Sequence, residues 1–154
     1  MNSDKQFKVN NERLMKLDYV GEKTPAIICD VDGTVALMMG NRSPFEYDKA
    51  LNDWANQPVI DMVFAAKSML EHKLTGEGDF INVSLIMLSA RENRELKDPI
   101  DIYVGGKEIK LRTVYDLTNY WLDKYMRGPL GETHNVLHMR EAGDFRKDSY
   151  VKFE

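Results

Sequence analysis

An α/β fold with a mostly parallel sheet follows from three observations along the 154-residue chain. Two short runs, residues 26–30 (AIICD) and residues 81–88 (INVSLIML), are apolar enough for strands covered on both faces, the habit of parallel sheets. Between them, residues 58–74 carry apolar side chains at helical spacing. Each strand then ends in residues able to do chemistry, Asp30 and Asp32 after the first, Ser89 and Arg91 after the second. Ligands of open parallel sheets bind at such carboxyl ends, where the loops leaving the strands converge.

The length suits one domain, with residues 1–24 as a polar lead-in and residues 25–154 as the core. No apolar run is long enough to span a membrane and the first residues lack the apolar segment of a secretory signal, so a cytoplasmic, membrane-free location is expected. The lone Cys29 lies inside the first strand and reads as a small buried side chain. A net charge of −4 argues against gripping long duplexes by their backbone, while leaving room for a pocket that takes only a strand end. The ordinary composition, with no internal period, disfavours a repeat or disordered protein.

In chain order, the first strand breaks at Asp30-Val31-Asp32-Gly33-Thr34, where Gly33 marks a tight turn. Asp30 is then fixed by the sheet and Asp32 sits just above it. An acidic turn closing a strand is the plain alternative, but a carboxylate directly after an apolar run needs a cation or several donors. The following stretch, interrupted by Gly40 and Pro44, reads as a loop arching over the strand end, with a short helix at 45–51; Arg42 and Asp53 inside it read as solvated loop residues, with polar or substrate contacts as the alternative. Pro58 opens a helix whose face is Val59, Met62, Val63, Ala66, Met69 and Leu70, with the methionines as core filler.

After the second strand, alternation on either side of Gly105-Gly106 predicts a hairpin over residues 100–112, either a small cap over the site or a surface decoration. Thr113 caps a helix whose buried face is Val114, Leu117, Thr118, Trp121, Leu122 and Tyr125, and Gly128-Pro129 stops it. A third strand is expected at 135–139, with Arg140 leaving its end. His134 and His138 have no third ligand of matching geometry, so a zinc site is not expected. In the tail, Arg146, Asp148 and Lys152 share one helix surface.

The Asp-Val-Asp-Gly-Thr run at 30–34 resembles the first motif of the haloacid dehalogenase-like (HAD) phosphohydrolases. Ser89-Ala90-Arg91 and the tail Arg140-Glu141-Ala142-Gly143-Asp144-Phe145-Arg146-Lys147-Asp148 with Lys152 are similar to the 3′-phosphatase domains of T4-like phage polynucleotide kinase/phosphatases. The resemblance implies a HAD-like Rossmannoid three-layer sandwich and a Mg²⁺-dependent phosphomonoesterase that removes a 3′-phosphate from a DNA or RNA end or a nucleotide. By the same resemblance Asp30 attacks phosphorus and Asp32 serves as acid and base. Ser89 and Lys152 hold the phosphate, and Thr34, Arg42, Arg91, Arg140 and Arg146 contact substrate. Mg²⁺ sits on Asp30 and Asp32. A repair role in the host cytoplasm of a phage follows as an expectation. A non-catalytic HAD-like binding protein and a small-metabolite HAD phosphatase are the alternatives.

The family's domain continues beyond the lysine helix into another strand that carries a fourth, acidic motif. The chain stops at Glu154, two residues after Lys152. The C-terminal strand and fourth motif are therefore expected to be lacking, with the sheet completed by a second chain or by self-association at the open edge.

Overall fold

The computed structural model describes residues 25–73 and 82–143. The expectations placed on residues 1–24, 81, 146, 148 and 152 lie outside the described residues.

Three parallel strands form the sheet: β1 (Ala26–Asp30), β4 (Ser84–Asn93) and β7 (Val136–Glu141), in the order β1-β4-β7. β1 runs in register with β4 from Ala26 opposite Ser84 to Asp30 opposite Leu88. β4 is the central strand, and its leading segment, Ser84 to Ser89, is buried except at Ile86, as a strand with neighbours on both sides and helices above requires. Among the described residues β1 is an edge, and Ile28 on it is 59% exposed.

The second strand does not end where its apolar run ends. β4 continues to Asn93 because β7 goes on pairing with it, through a register shift between Ser89 and Glu92. That irregularity gives β4 its local bend at Ser89-Ala90-Arg91. β7 likewise runs past the expected 139, so Arg140 pairs with Glu92 inside the ladder rather than leaving it.

Between β1 and β4 the chain makes a two-residue antiparallel ladder, β2 (Ala36–Leu37) with β3 (Trp54–Ala55), enclosing a loop and a 3₁₀ turn at Tyr47–Asn52. The short helix expected at 45–51 is this turn, two residues later. Helix α1 (Gln57–Lys73) follows, with Pro58 in its first turn. Its buried stripe is Ile60 and Phe64, flanked by half-buried Val59 and Val63. Met62 is 68% exposed, and Ala66, Met69 and Leu70 also face outward, so the methionines are not core filler. The helix is turned by about one residue, 100°, from the expected face. Glu71 anchors that orientation, holding Lys67 and accepting the Val83 N–H that leads into β4.

Strands β5 (Glu95–Val104) and β6 (Lys107–Thr113) form the hairpin, turning through Gly105 and Gly106 at φ 57° and 79°. Both central residues of such a turn need positive φ, which only glycine adopts at little cost. The base of the hairpin belongs to the core, with Leu96 and Leu111 buried, while its tip at Tyr103 and Val104 is exposed. Helix α2 (Val114–Tyr125) starts from a capping box in which Thr113 and Asp116 bond each other's backbone N–H groups. Its Val114, Leu117, Thr118, Trp121 and Leu122 are buried, as the sequence pattern predicts.

Candidate active site

The site is built where β1 ends. Val31 donates its N–H to Leu88 O at 3.0 Å, extending the β1–β4 contact by one residue. The chain then folds back on itself, with the N–H groups of Thr34, Val35 and Ala36 all directed at Val31 O. Gly33 occupies the left-handed region at φ 76°, a conformation that strains any other residue but Asn or Asp. Its sequence signal was the glycine itself. Asp30 remains on the sheet, with Thr34 donating to its Oδ2 at 3.4 Å, and Asp32 rises above it.

Asp32 is engaged by two guanidinium groups. Arg91 Nη2 lies 2.8 Å from its Oδ1, with Arg91 Nε 3.0 Å from Oδ2, and Arg42 Nη2 lies 3.2 Å from Oδ1. The same two arginines converge on Asp53. Arg42 reaches it through Nε and Nη2, both at 2.8 Å, and Arg91 through Nη2 at 3.0 Å. The side chains of Arg42 and Arg91 are each 1% exposed and that of Asp53 is 0% exposed, whereas Asp32 keeps 33% of its side chain open. Two buried cations are thus matched by one buried and one half-open carboxylate, the pairing that desolvated charge demands.

Burial opposes the charged form of Arg42, but hydrogen bonding and charge from Asp53, then the charges of Asp32 and Tyr47, raise its pKa above the ordinary arginine value. Arg42 Nη1 also donates to Ser43 O and Pro44 O, both at 3.2 Å. A guanidinium has five N–H donors, and those of Arg42 all have acceptors within the chain. Arg91 Nη1 donates to Thr118 Oγ1 at 3.0 Å. Of the two arginines expected to contact substrate, Arg42 therefore spends its donors on Asp32, Asp53 and the Ser43 and Pro44 carbonyls, and Arg91 directs donors to Asp32, Asp53 and the Thr118 hydroxyl. Trp121 Nε1 donates to Asp53 O at 3.1 Å and fixes the backbone beneath the cluster.

Ser89 is buried at the bend of β4, where its Oγ accepts the Arg91 N–H at 3.1 Å. Arg140 comes to the same bend from β7, its Nε donating to Ala90 O at 3.1 Å. Asp30, Asp32, Thr34, Arg42, Ser89 and Arg91 are thus brought together, with Arg140 at the rim; Arg146 and Lys152 lie outside the described residues.

Three further residues belong to this neighbourhood without having been singled out for it. Tyr47, on the 3₁₀ turn, has a phenol whose pKa is raised by burial and then by the charge of Asp32, against a backbone hydrogen bond at Glu92 and the charge of Arg140. Asp48 ties that turn to the hairpin, accepting from Arg94 Nη2 at 2.7 Å and from the Lys97 N–H at 3.0 Å. Thr118 did carry a signal, since a hydroxyl on an otherwise apolar helix face must find a partner once buried.

Cys29 stays outside the chemistry. Burial, then the neighbouring Asp30 charge, push its thiol up to about 11. A disulfide-exchange reagent at pH 8 is expected to leave Cys29 of the native protein unmodified, since the thiolate is the attacking form. It should label one thiol per chain after denaturation, and rapid native labelling would show that the first strand opens.

Mg²⁺ chemistry can be tested against the donor set. Among the described residues no three His, Cys, Asp or Glu side chains form a metal-binding group. Mg²⁺ does not need one, since it is commonly held by one or two carboxylates together with phosphate oxygens and water. Among the described residues the backbone N–H groups of the turn bond Val31 O and Ala36 O, none the carbonyl of Asp32. That oxygen and the Asp30 carboxylate at the strand end are hard donors of the right kind.

A profile of the polynucleotide kinase PNKP phosphatase domain matches residues 24–154. Among solved structures, the chain is similar to a chain of a Pnkp1/Rnl/Hen1 complex, with 28% identity and a TM-score of 0.52 over 84% of its residues. It is also similar to a chain of a Pnkp1/Rnl/Hen1 RNA repair complex, with 27% identity and a TM-score of 0.53, again over 84%. It spans 32% and 30% of those two chains, about a third of their length.

Proposed function

The chain belongs to the family of HAD-like polynucleotide kinase phosphatase domains, and on that premise we propose that it removes the 3′-phosphate from a nucleic acid end. The observation that carries the proposal is the placement of Asp30 and Asp32 at the carboxyl end of β1, beside the bend of β4 that presents Ser89 and Arg91.

In the proposed reaction an Asp30 carboxylate oxygen attacks phosphorus. The bond from phosphorus to the 3′-oxygen breaks, and Asp32 gives that oxygen a proton. Asp32 then takes a proton from water, whose oxygen attacks the aspartyl-phosphate. The bond from phosphorus to Asp30 breaks, releasing inorganic phosphate and restoring the carboxylate. Arg42 and Arg91 act on this reaction by orienting Asp32. Ser89, Thr34, Arg140, Arg146 and Lys152 are the proposed contacts to the phosphate and its flanking groups. Mg²⁺ on Asp30 and the Asp32 carbonyl would supply charge neutralisation between carboxylate and phosphate. Assembly with other chains is part of the proposal, because the similar chains come from multi-protein complexes and β1 has an uncovered edge among the described residues. RNA ends are the favoured substrate, since one of those complexes is an RNA repair complex.

Phosphate release from matched oligonucleotides bearing a 3′- or a 5′-phosphate, with Mg²⁺ present, tests this. Preferential release from the 3′-phosphorylated strand is expected. Faster turnover of free sugar phosphates would move the assignment to small metabolites, and folded protein that hydrolyses no phosphomonoester would leave a binding role.

A further inference from the structure

Beside the site, an open groove of about 670 Å³ runs between the loop after β2 and the end of α2. This is within the usual range for small-ligand sites. Its walls include Trp54, Tyr125, Leu51, Asn41 and Asn52. Trp54 is 60% exposed, although its backbone is held in β3 opposite Leu37. A large ring on a fixed backbone, left in water, is a platform without a partner among the described residues. Tyr125 packs its ring against the buried Trp121 at a centroid distance of 5.0 Å, with Lys124 Nζ 5.2 Å from its centroid. Asn41 Nδ2 donates to Asn52 O at 3.0 Å, which leaves the Asn41 carbonyl and the whole Asn52 amide open to a ligand. An indole face with adjacent amide donors and acceptors suits a nucleobase, which offers a π-face and a hydrogen-bonding edge.

The groove is connected to the phosphate site through α2. Thr118 bonds Arg91, Trp121 bonds the backbone of Asp53, and Tyr125 lines the groove. These residues follow one another on one face of the helix. Seven residues at a rise of 1.5 Å separate Thr118 from Tyr125, about 10 Å. At about 3.4 Å per stacked nucleotide, that is the reach of a few nucleotides.

We propose that this groove is a subsite for an unpaired base a few nucleotides upstream of the phosphorylated 3′ end, stacked on Trp54 and read by Asn41 and Asn52. The subsite rests on the phosphatase reading for its place in the reaction, but binding can be measured without turnover. It makes single-stranded ends the preferred substrates, because a base inside a duplex cannot reach the indole.

The test is a fluorescence titration with a short unpaired RNA ending in a 3′-hydroxyl. Trp121 is buried, so a change in emission on binding reports mainly on Trp54. Saturable quenching is expected in the native protein; followed instead by the anisotropy of a dye-labelled copy of the same RNA, binding should stay near the native level in Trp54→Phe and weaken about tenfold in Trp54→Ala. With a 3′-phosphorylated oligonucleotide as substrate, Trp54→Ala should raise KM about tenfold, the scale of one lost base–aromatic stack. Its turnover of p-nitrophenyl phosphate should be unchanged. Absence of quenching together with an unchanged KM overturns the subsite. Quenching without turnover of any phosphomonoester retains the subsite and defeats the phosphatase reading.

Discussion

Asp30→Asn lowers phosphate release by at least about a thousandfold while the protein stays folded. The substitution keeps the size and planarity of the side chain and removes the charge that makes it a nucleophile. Thr34 can still bond the retained amide oxygen in place of Oδ2, and β1 keeps its register with β4. A Tm within about 3 °C of the native value is therefore expected. Acid quenching of a turnover begun with an oligonucleotide labelled in its 3′-phosphate should leave label on the native chain and none on the variant. An Asp30→Asn protein with native turnover would remove Asp30 from its assigned role, and label appearing on the variant would place the covalent step on another residue.

That prediction rests on the part of the site that could be read without coordinates. An apolar run ending in two carboxylates and a glycine contains its own geometry, because strand, turn and charge lie within nine residues, 26–34. The glycine pair of the hairpin and the helix cap at Thr113 are equally local, and both are found where the sequence puts them. What the sequence could not display is the set of partners across long separations. Arg91 meets Asp32 from 59 positions away and Asp53 from 38. No spacing rule links them, and Arg42 and Asp53, taken alone, read as solvated loop residues. The two-residue ladder of β2 and β3 is shorter than any periodic signal can mark. The inward face of α1 departs from the sequence pattern for a related reason. Apolar residues occur at 59, 60, 62, 63, 64, 65, 66, 69 and 70, almost all the way round the helix, so the stripe that packs inward is chosen by where Glu71 meets Val83 rather than by period.

Those long-range partners give the second large effect. Asp53→Ala is expected to unfold the domain about 10 °C earlier, through a loss of about 3–5 kcal/mol. The cause is the charge left behind rather than the contact removed. Arg42 would lose both of its shortest hydrogen bonds and Arg91 one, while their side chains remain buried and only the half-open Asp32 is left to balance them. Arg42 and Arg91 must then shift toward Asp32 or toward water, and either move takes that carboxylate out of position. Phosphate release should therefore fall together with stability. Removing a cation along with the anion separates the two effects. Asp53→Leu combined with Arg42→Met should recover part of the lost Tm, because an apolar pair can replace a buried ion pair at little cost. It should not recover activity, because Asp32 has lost one of its two guanidinium partners. A double-mutant cycle should give a coupling above about 1 kcal/mol between Asp53 and Arg42, as expected for residues in one network. If Asp53→Ala melts within about 2 °C of the native protein, the four-residue cluster is not what holds the loop between β2 and β3 over the end of β1.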